Sequence, residues 1–176
     1  MIVDFAPPTY GRGWSSVLID LRNKTQALVG IIDGVGSWGA GREAAEWTRQ
    51  RLIECWREIP TFNTAQIVSD ILQASATIPA ELQDAEFDHS FSVTVALVDQ
   101  KFVRVIAAGY FAVGIFSERP TQVLFKPQML VDGMLRIGTL TLDQAKLHSM
   151  RNICVGPFIP LPTNGQLTVT QPYELP

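Results

Sequence analysis

The chain has 176 residues, 47% hydrophobic and 18% charged, the size and make-up of one globular domain rather than two. Fourteen Lys and Arg stand against seventeen Asp and Glu, a formal charge of -3, which leaves no basic surplus to neutralise a nucleic-acid backbone. No basic segment followed by an apolar run opens the chain, and no stretch reaches the roughly 18 apolar residues of a membrane span. The expectation is a cytoplasmic protein with neither nucleic acid nor membrane as partner. Cys55 and Cys154 lie far apart, without C-x-x-C spacing and with only His89 and His148 to join them, so neither a disulfide framework nor a zinc site is expected.

Val17 to Leu21 and Ala27 to Asp33 are apolar runs separated by the polar residues 22–26, the pattern of an antiparallel hairpin. From Arg42 to Ile59 the apolar residues Ala45, Leu52, Trp56 and Ile59 recur at helical spacing, with Trp47 and Thr48 flanking them, and Pro60 ends the run. Asn63 or Thr64 caps a second helix with the stripe Ile67, Ile71, Leu72, Ser75 and Ile78, closed by Pro79. The period then shortens. Phe91 to Val98, Phe102 to Ala108, Phe111 to Phe116 and Thr121 to Phe125 read as a meander of short strands. Met129 to Ile137 and Leu142 to Leu147 read as short helices, the second opened by Thr141 with Gln144 three residues on, a capping box. A last strand is expected over Gln166 to Thr170. A hairpin, two consecutive helices and many strands give an α+β fold with mostly antiparallel sheets.

The loop Gly34-Val35-Gly36-Ser37-Trp38-Gly39 fits G-x-G-x-x-G between a strand and a helix. A dinucleotide site also needs a second parallel strand after that helix, and here another helix follows. Asp33, directly before the first glycine, would moreover repel a pyrophosphate unless a cation lay between them. The other reading makes Asp33 and Gly34 a metal-ligand pair, a hard carboxylate beside a bare carbonyl, suited to Mg²⁺ or Mn²⁺.

At these residues the sequence resembles the PP2C family of metal-dependent Ser/Thr protein phosphatases. Ile31 to Gly36 through Gly39, Ala44 and Ala45 is similar to that family's D-G-x-G-G motif and alanine-rich helix start. Ser92-Val93-Thr94-Val95-Ala96 resembles its S-x-T-A strand, and Gly109 to Phe116 stands where the family has G-D-S-R-A. Leu130-Val131, Gly138, Leu140-Thr141, Asp143-Gln144-Ala145, His148, Arg151-Asn152 and Gly156 follow, in order, the bacterial subgroup's H-S-L-V, G-x-L-T-x-E-E-A, H-P-x-R-N and L-G signals. The resemblance implies an α-β-β-α sandwich of two mainly antiparallel sheets with helix pairs outside, formed by residues 1–176 as a single domain. It also implies a phosphatase in which two metal ions held by aspartates position a water for attack on phosphorus.

The same alignment removes most of the ligands. The family's first acidic pair falls on Ser15 and Ser16, its G-D-S-R aspartate on Tyr110, and its D-H-S on Pro127, Gln128 and Met129. Two further aspartates belong to C-terminal motifs beyond Tyr173 to Pro176, so the sheet is expected to lack its last strands. A turn at Asn23-Lys24 would set residue 22 against 25 and Asp33 against Trp14, leaving Asp20 about six residues, roughly 20 Å, down the ladder. Asp33 with Gly34 then holds at most a weakly bound Mg²⁺ or Mn²⁺. The functional expectation is a degenerate, catalytically inactive PP2C-like domain that binds a protein, such as a phosphoprotein. The alternative is a Mg²⁺ or Mn²⁺ dependent phosphatase represented by a short chain.

Each marked residue also has a plain structural reading. Asp33 could serve the N-terminus of the following helix, and Arg12, which echoes the family's phosphate-binding arginine, could be a solvated side chain. His148 and Arg151 belong to a mainly structural motif, Cys154 has no evident base, and Trp38 is either a partner contact or core. A sheet short of strands leaves backbone edges unpaired, so a homodimer through such an edge is a further expectation.

Overall fold

The computed structural model describes residues 15–23, 25–35, 40–58, 63–76, 90–109, 111–116, 121–154, 159–160 and 167–175. A hairpin comes first, β1 (Ser15–Asn23) against β2 (Gln26–Val35). Two helices follow without a strand between them, α1 (Ala40–Glu58) and α2 (Thr64–Ala76), and then β3 (Ser90–Val98) pairs antiparallel with β2. Among the described residues there is no parallel βαβ unit here, and β2 pairs antiparallel with β3, which counts against the dinucleotide reading of the glycine loop. β3 turns directly into β4 (Phe102–Ala108) because Asp99 Oδ1 accepts the backbone N–H groups of Lys101 and Phe102, both at 2.7 Å.

Alternation along these strands divides the apolar residues between two faces. On one face Leu18, Leu28, Ile32, Val93, Val95, Leu97 and Ile106 pack with Ala45, Leu52 and Trp56 of α1 and Ile67 and Ile71 of α2. On the other, Ala27, Val29, Val98, Val103, Val105 and Ala107 pack against Val113, Ile115, Leu124 and Phe125. Those last four belong to a second sheet, β5 (Val113–Ile115) with β6 (Gln122–Phe125). The architecture is thus α+β with antiparallel sheets, as the periodicity predicts, though β5 is shorter than the run Phe111 to Phe116.

Asn63 caps α2, its Oδ1 accepting from Gln66 N at 3.3 Å. The Thr141 capping box forms in both directions at the start of α4 (Leu142–Leu147), which follows α3 (Leu130–Arg136). Trp47 is exposed rather than core, whereas Thr48 is buried. Ile59, Ser37, Trp38, Ile78 and Tyr110 lie outside the described residues, as does Arg12.

The rest of the large sheet comes from the C-terminal part. β7 (Ile159–Pro160) pairs with the start of β3, β8 (Thr168–Val169) with Ile106 and Ala107, and β9 (Tyr173–Glu174) with Phe102 and Val103. Between the last two, Thr170 N donates to Val105 O at 2.9 Å and Val105 N donates to Thr170 Oγ1 at 3.0 Å. The outer edge of β4 is covered by this segment. At the opposite end β1 pairs with β2 and with no other described strand.

Candidate functional site at the Asp33 end of the sheet

The strand registers define one row across the sheet at the end that carries the glycine loop. Ser15 is the ladder partner of Asp33, Asp33 of Ser92, and Gly109 stands next to Ser92 beyond the last β3–β4 pair, Val93 with Ala108. The observed register is one residue from the expected one: Asp33 faces Ser15 rather than Trp14, because an irregularity between Leu21 and Asn23 displaces the turn. The row tightens at Gly109. Its φ of +107° is one that L side chains rarely adopt, and a Cβ there would lie 2.2 Å from Ser92 Oγ. Ser92 itself is buried and donates its hydroxyl to Ala108 O at 3.2 Å.

Asp33 is half-buried and lies inside β2, seven residues before the first residue of α1. Gly34 is the next residue of the strand, opposite Phe91 on β3. Asp20 cannot supply a second ligand. It pairs with Leu28, five ladder positions from Asp33 or about 17 Å, and shares Leu28's face, toward the helices. Its oxygens accept from Arg57 Nη2 at 3.1 Å and Nε at 3.2 Å, which holds Asp20 at the far end of α1.

Among the described residues, this row offers the Asp33 carboxylate, the Gly34 carbonyl and the Ser92 hydroxyl as oxygen donors. They do not fit a two-ion centre, which needs several bridging and terminal carboxylates to neutralise its charge. Among the described residues no group of three or more His, Cys, Asp or Glu side chains could hold a metal ion. At the D-H-S position Pro127 is buried and Gln128 exposed, and neither carries an ionisable group.

The matched C-terminal motif has a structural role here. His148 Nδ1 accepts from Met150 N at 3.2 Å, and His148 O accepts from Arg151 N at 3.1 Å. Cys154 is half-buried, pairs with Met129 in an isolated bridge, and directs its thiol at Gly109 O, 3.6 Å away. That contact ties the segment after α4 to the polar row. Cys55, on α1, has its thiol pKa raised above the ordinary 9.0, first by burial and then by the charge of Asp70.

A cavity of about 320 Å³ opens beside the Gly109 end of the row. Its floor is Ala107, Ala108 and Gly109, with Phe125 and Lys126 on one side and Thr168 on the other. The sequence contains no sign of it, since it forms only when the C-terminal segment docks on β4. Lys126 is held 3.7 Å from Asp132 Oδ1 and stays mostly exposed.

No family model matches the chain, and no curated protein matches it. The fold does match solved structures. The serine/threonine phosphatase of S. agalactiae superposes with a TM-score of 0.75 at 20% identity, over 95% of this chain and 70% of that one. The Mycobacterium tuberculosis serine/threonine phosphatase PstP/Ppp gives 0.74 at 16% identity, over 94% and 68%. The catalytic domain of PstP in complex with two manganese ions gives 0.66 at 16% identity, over 94% and 67%. These superpositions show the fold: the chain has the fold of the bacterial PP2C-type Ser/Thr phosphatases.

Proposed function

We propose that this domain is a catalytically inactive PP2C-like module that binds a protein partner through the surface around its Asp33 row. The observation that carries the reading is the row itself. The position that pairs with Asp33 on β1 is a serine, and the nearest acid on that strand, Asp20, faces the other way and is engaged by Arg57. Water activation by two metal ions requires charge that these residues do not supply. A phosphoprotein is the partner class that the ancestral chemistry suggests, with Arg12 as its phosphate contact. Asp33 and Gly34 would hold no more than one weakly bound Mg²⁺ or Mn²⁺.

The second reading, a Mg²⁺ or Mn²⁺ dependent Ser/Thr phosphatase, is favoured by one observation: its structural neighbours are phosphatases, and one of them is in complex with two manganese ions. Hydrolysis of p-nitrophenyl phosphate with Mn²⁺ separates the two. The inactive module shows no turnover above an Asp33→Asn control, whereas the phosphatase shows turnover that this substitution abolishes.

A further inference from the structure

We infer that β1 is a self-pairing edge, and that two copies of this chain associate through it into one continuous sheet. Exposed edge strands are normally guarded by charge, proline or a bulge within the strand, because unpaired N–H and C=O groups recruit any strand that fits. Among the described residues β1 carries no proline and no charge on its outward face, and its one irregularity, between Leu21 and Asn23, lies at the turn end of the strand. Its two charged residues are occupied on the helix side: Asp20 by Arg57, and Arg22 over the ring of Trp56 with its guanidinium carbon 3.8 Å from the centroid. The opposite face presents Val17, Ile19 and Leu21, exposed by 44%, 51% and 70%. Among the described residues, the second sheet packs on the face formed by β2, β3 and β4 and these three side chains lie outside that cluster.

What completes an edge must itself be an extended strand, and what covers this face must be apolar at every second residue. β1 meets both conditions for a copy of itself. Antiparallel pairing across a two-fold axis at Ile19 overlaps the whole of Ser15–Asn23. It sets Ile19 against its own symmetry mate and Val17 against Leu21 twice, so six apolar side chains form one uninterrupted stripe. Asp20 falls opposite Leu18, so no like charges stand directly across from each other. The inference is independent of the metal question, since β1 pairing involves neither Asp33 nor the cavity.

The test is sedimentation equilibrium of the full chain over a wide concentration range, with Ile19→Lys alongside. The inference expects a mass that rises from one to two chains. It expects Ile19→Lys to remain monomeric and, at concentrations where the wild type is also a monomer, to share its thermal midpoint, because this side chain is half in water already. A cysteine scan then reads the register in a Cys55→Ser, Cys154→Ser background. Ile19→Cys sits on the axis, with Cα atoms about 4.5–5.5 Å apart and so within disulfide reach, and should oxidise to a covalent dimer. Val17→Cys, roughly 13 Å from its mate, should not. A monomer at every concentration, a dimer that survives Ile19→Lys, or equal crosslinking at 17 and 19 would overturn the inference. The first of those results would mean that another part of the same chain covers β1.

Discussion

Thr94 stands one row below Asp33 on the same face of the sheet, buried, its hydroxyl without a hydrogen-bond partner among the described residues. A buried hydroxyl that has given up water for nothing costs about 1–3 kcal/mol, so Thr94→Val should raise the unfolding free energy by about 1 kcal/mol. Urea melts of the two proteins at constant m-value check this. Cys55 gives a second, pH-dependent expectation. Its thiol binds its proton more tightly in the folded chain than in the unfolded one, because burial and Asp70 disfavour the thiolate. The stability this provides is complete below the ordinary thiol value of 9.0 and is lost as pH rises from there through the higher folded value. Cys55→Ser should therefore flatten that part of the alkaline decline in the thermal midpoint.

At the scale of elements, the parts of the chain with strong local signals were readable in advance, and the reasons are specific. The β1–β2 hairpin, α1, α2 and the strands β3 and β4 follow from apolar periodicity and from the stops at Pro60 and Pro79. Thr141 and Gln144 form the capping box that their spacing announces. The register was missed by one residue because an irregularity at Leu21 to Asn23 leaves no mark in composition. The docking of the C-terminal segment on β4 was also unreadable. Its contacts join residues more than sixty positions apart, such as Val105 and Thr170 with |i−j| of 65, and no local pattern encodes a pairing of that range. The same docking builds the cavity beside Gly109. Thr170→Pro removes the N–H that bonds Val105 O and the hydroxyl that accepts from Val105 N. The loss should be about 2–4 kcal/mol, with the buried Val105 N–H left unpaired. Hydrogen exchange at Val105 should accelerate in parallel, and an unchanged exchange rate would show that the strand is not held there.

For the whole molecule, the contrast is between what the fold needs from these residues and what a two-metal site would need from them. The two faces of the large sheet are packed as a sandwich requires, with α1 and α2 over one and the β5–β6 sheet over part of the other. That packing depends on apolar residues at alternating positions and is indifferent to whether the row at the sheet end carries aspartate or serine. Chemistry is not indifferent: two divalent ions need a cluster of carboxylates, and the register gives Asp33 a serine neighbour on β1 and a serine neighbour on β3. On the proposed reading the fold serves as a binding surface without a hydrolytic site, and the His148 and Arg151 contacts show residues of the matched motif bonded within their own turn. The most direct test is calorimetric titration of the metal-free chain with Mn²⁺, followed by p-nitrophenyl phosphate turnover in the same sample. The account predicts binding no tighter than one weak site and no turnover. Saturable binding of two ions with turnover, both lost in Asp33→Asn, would contradict it.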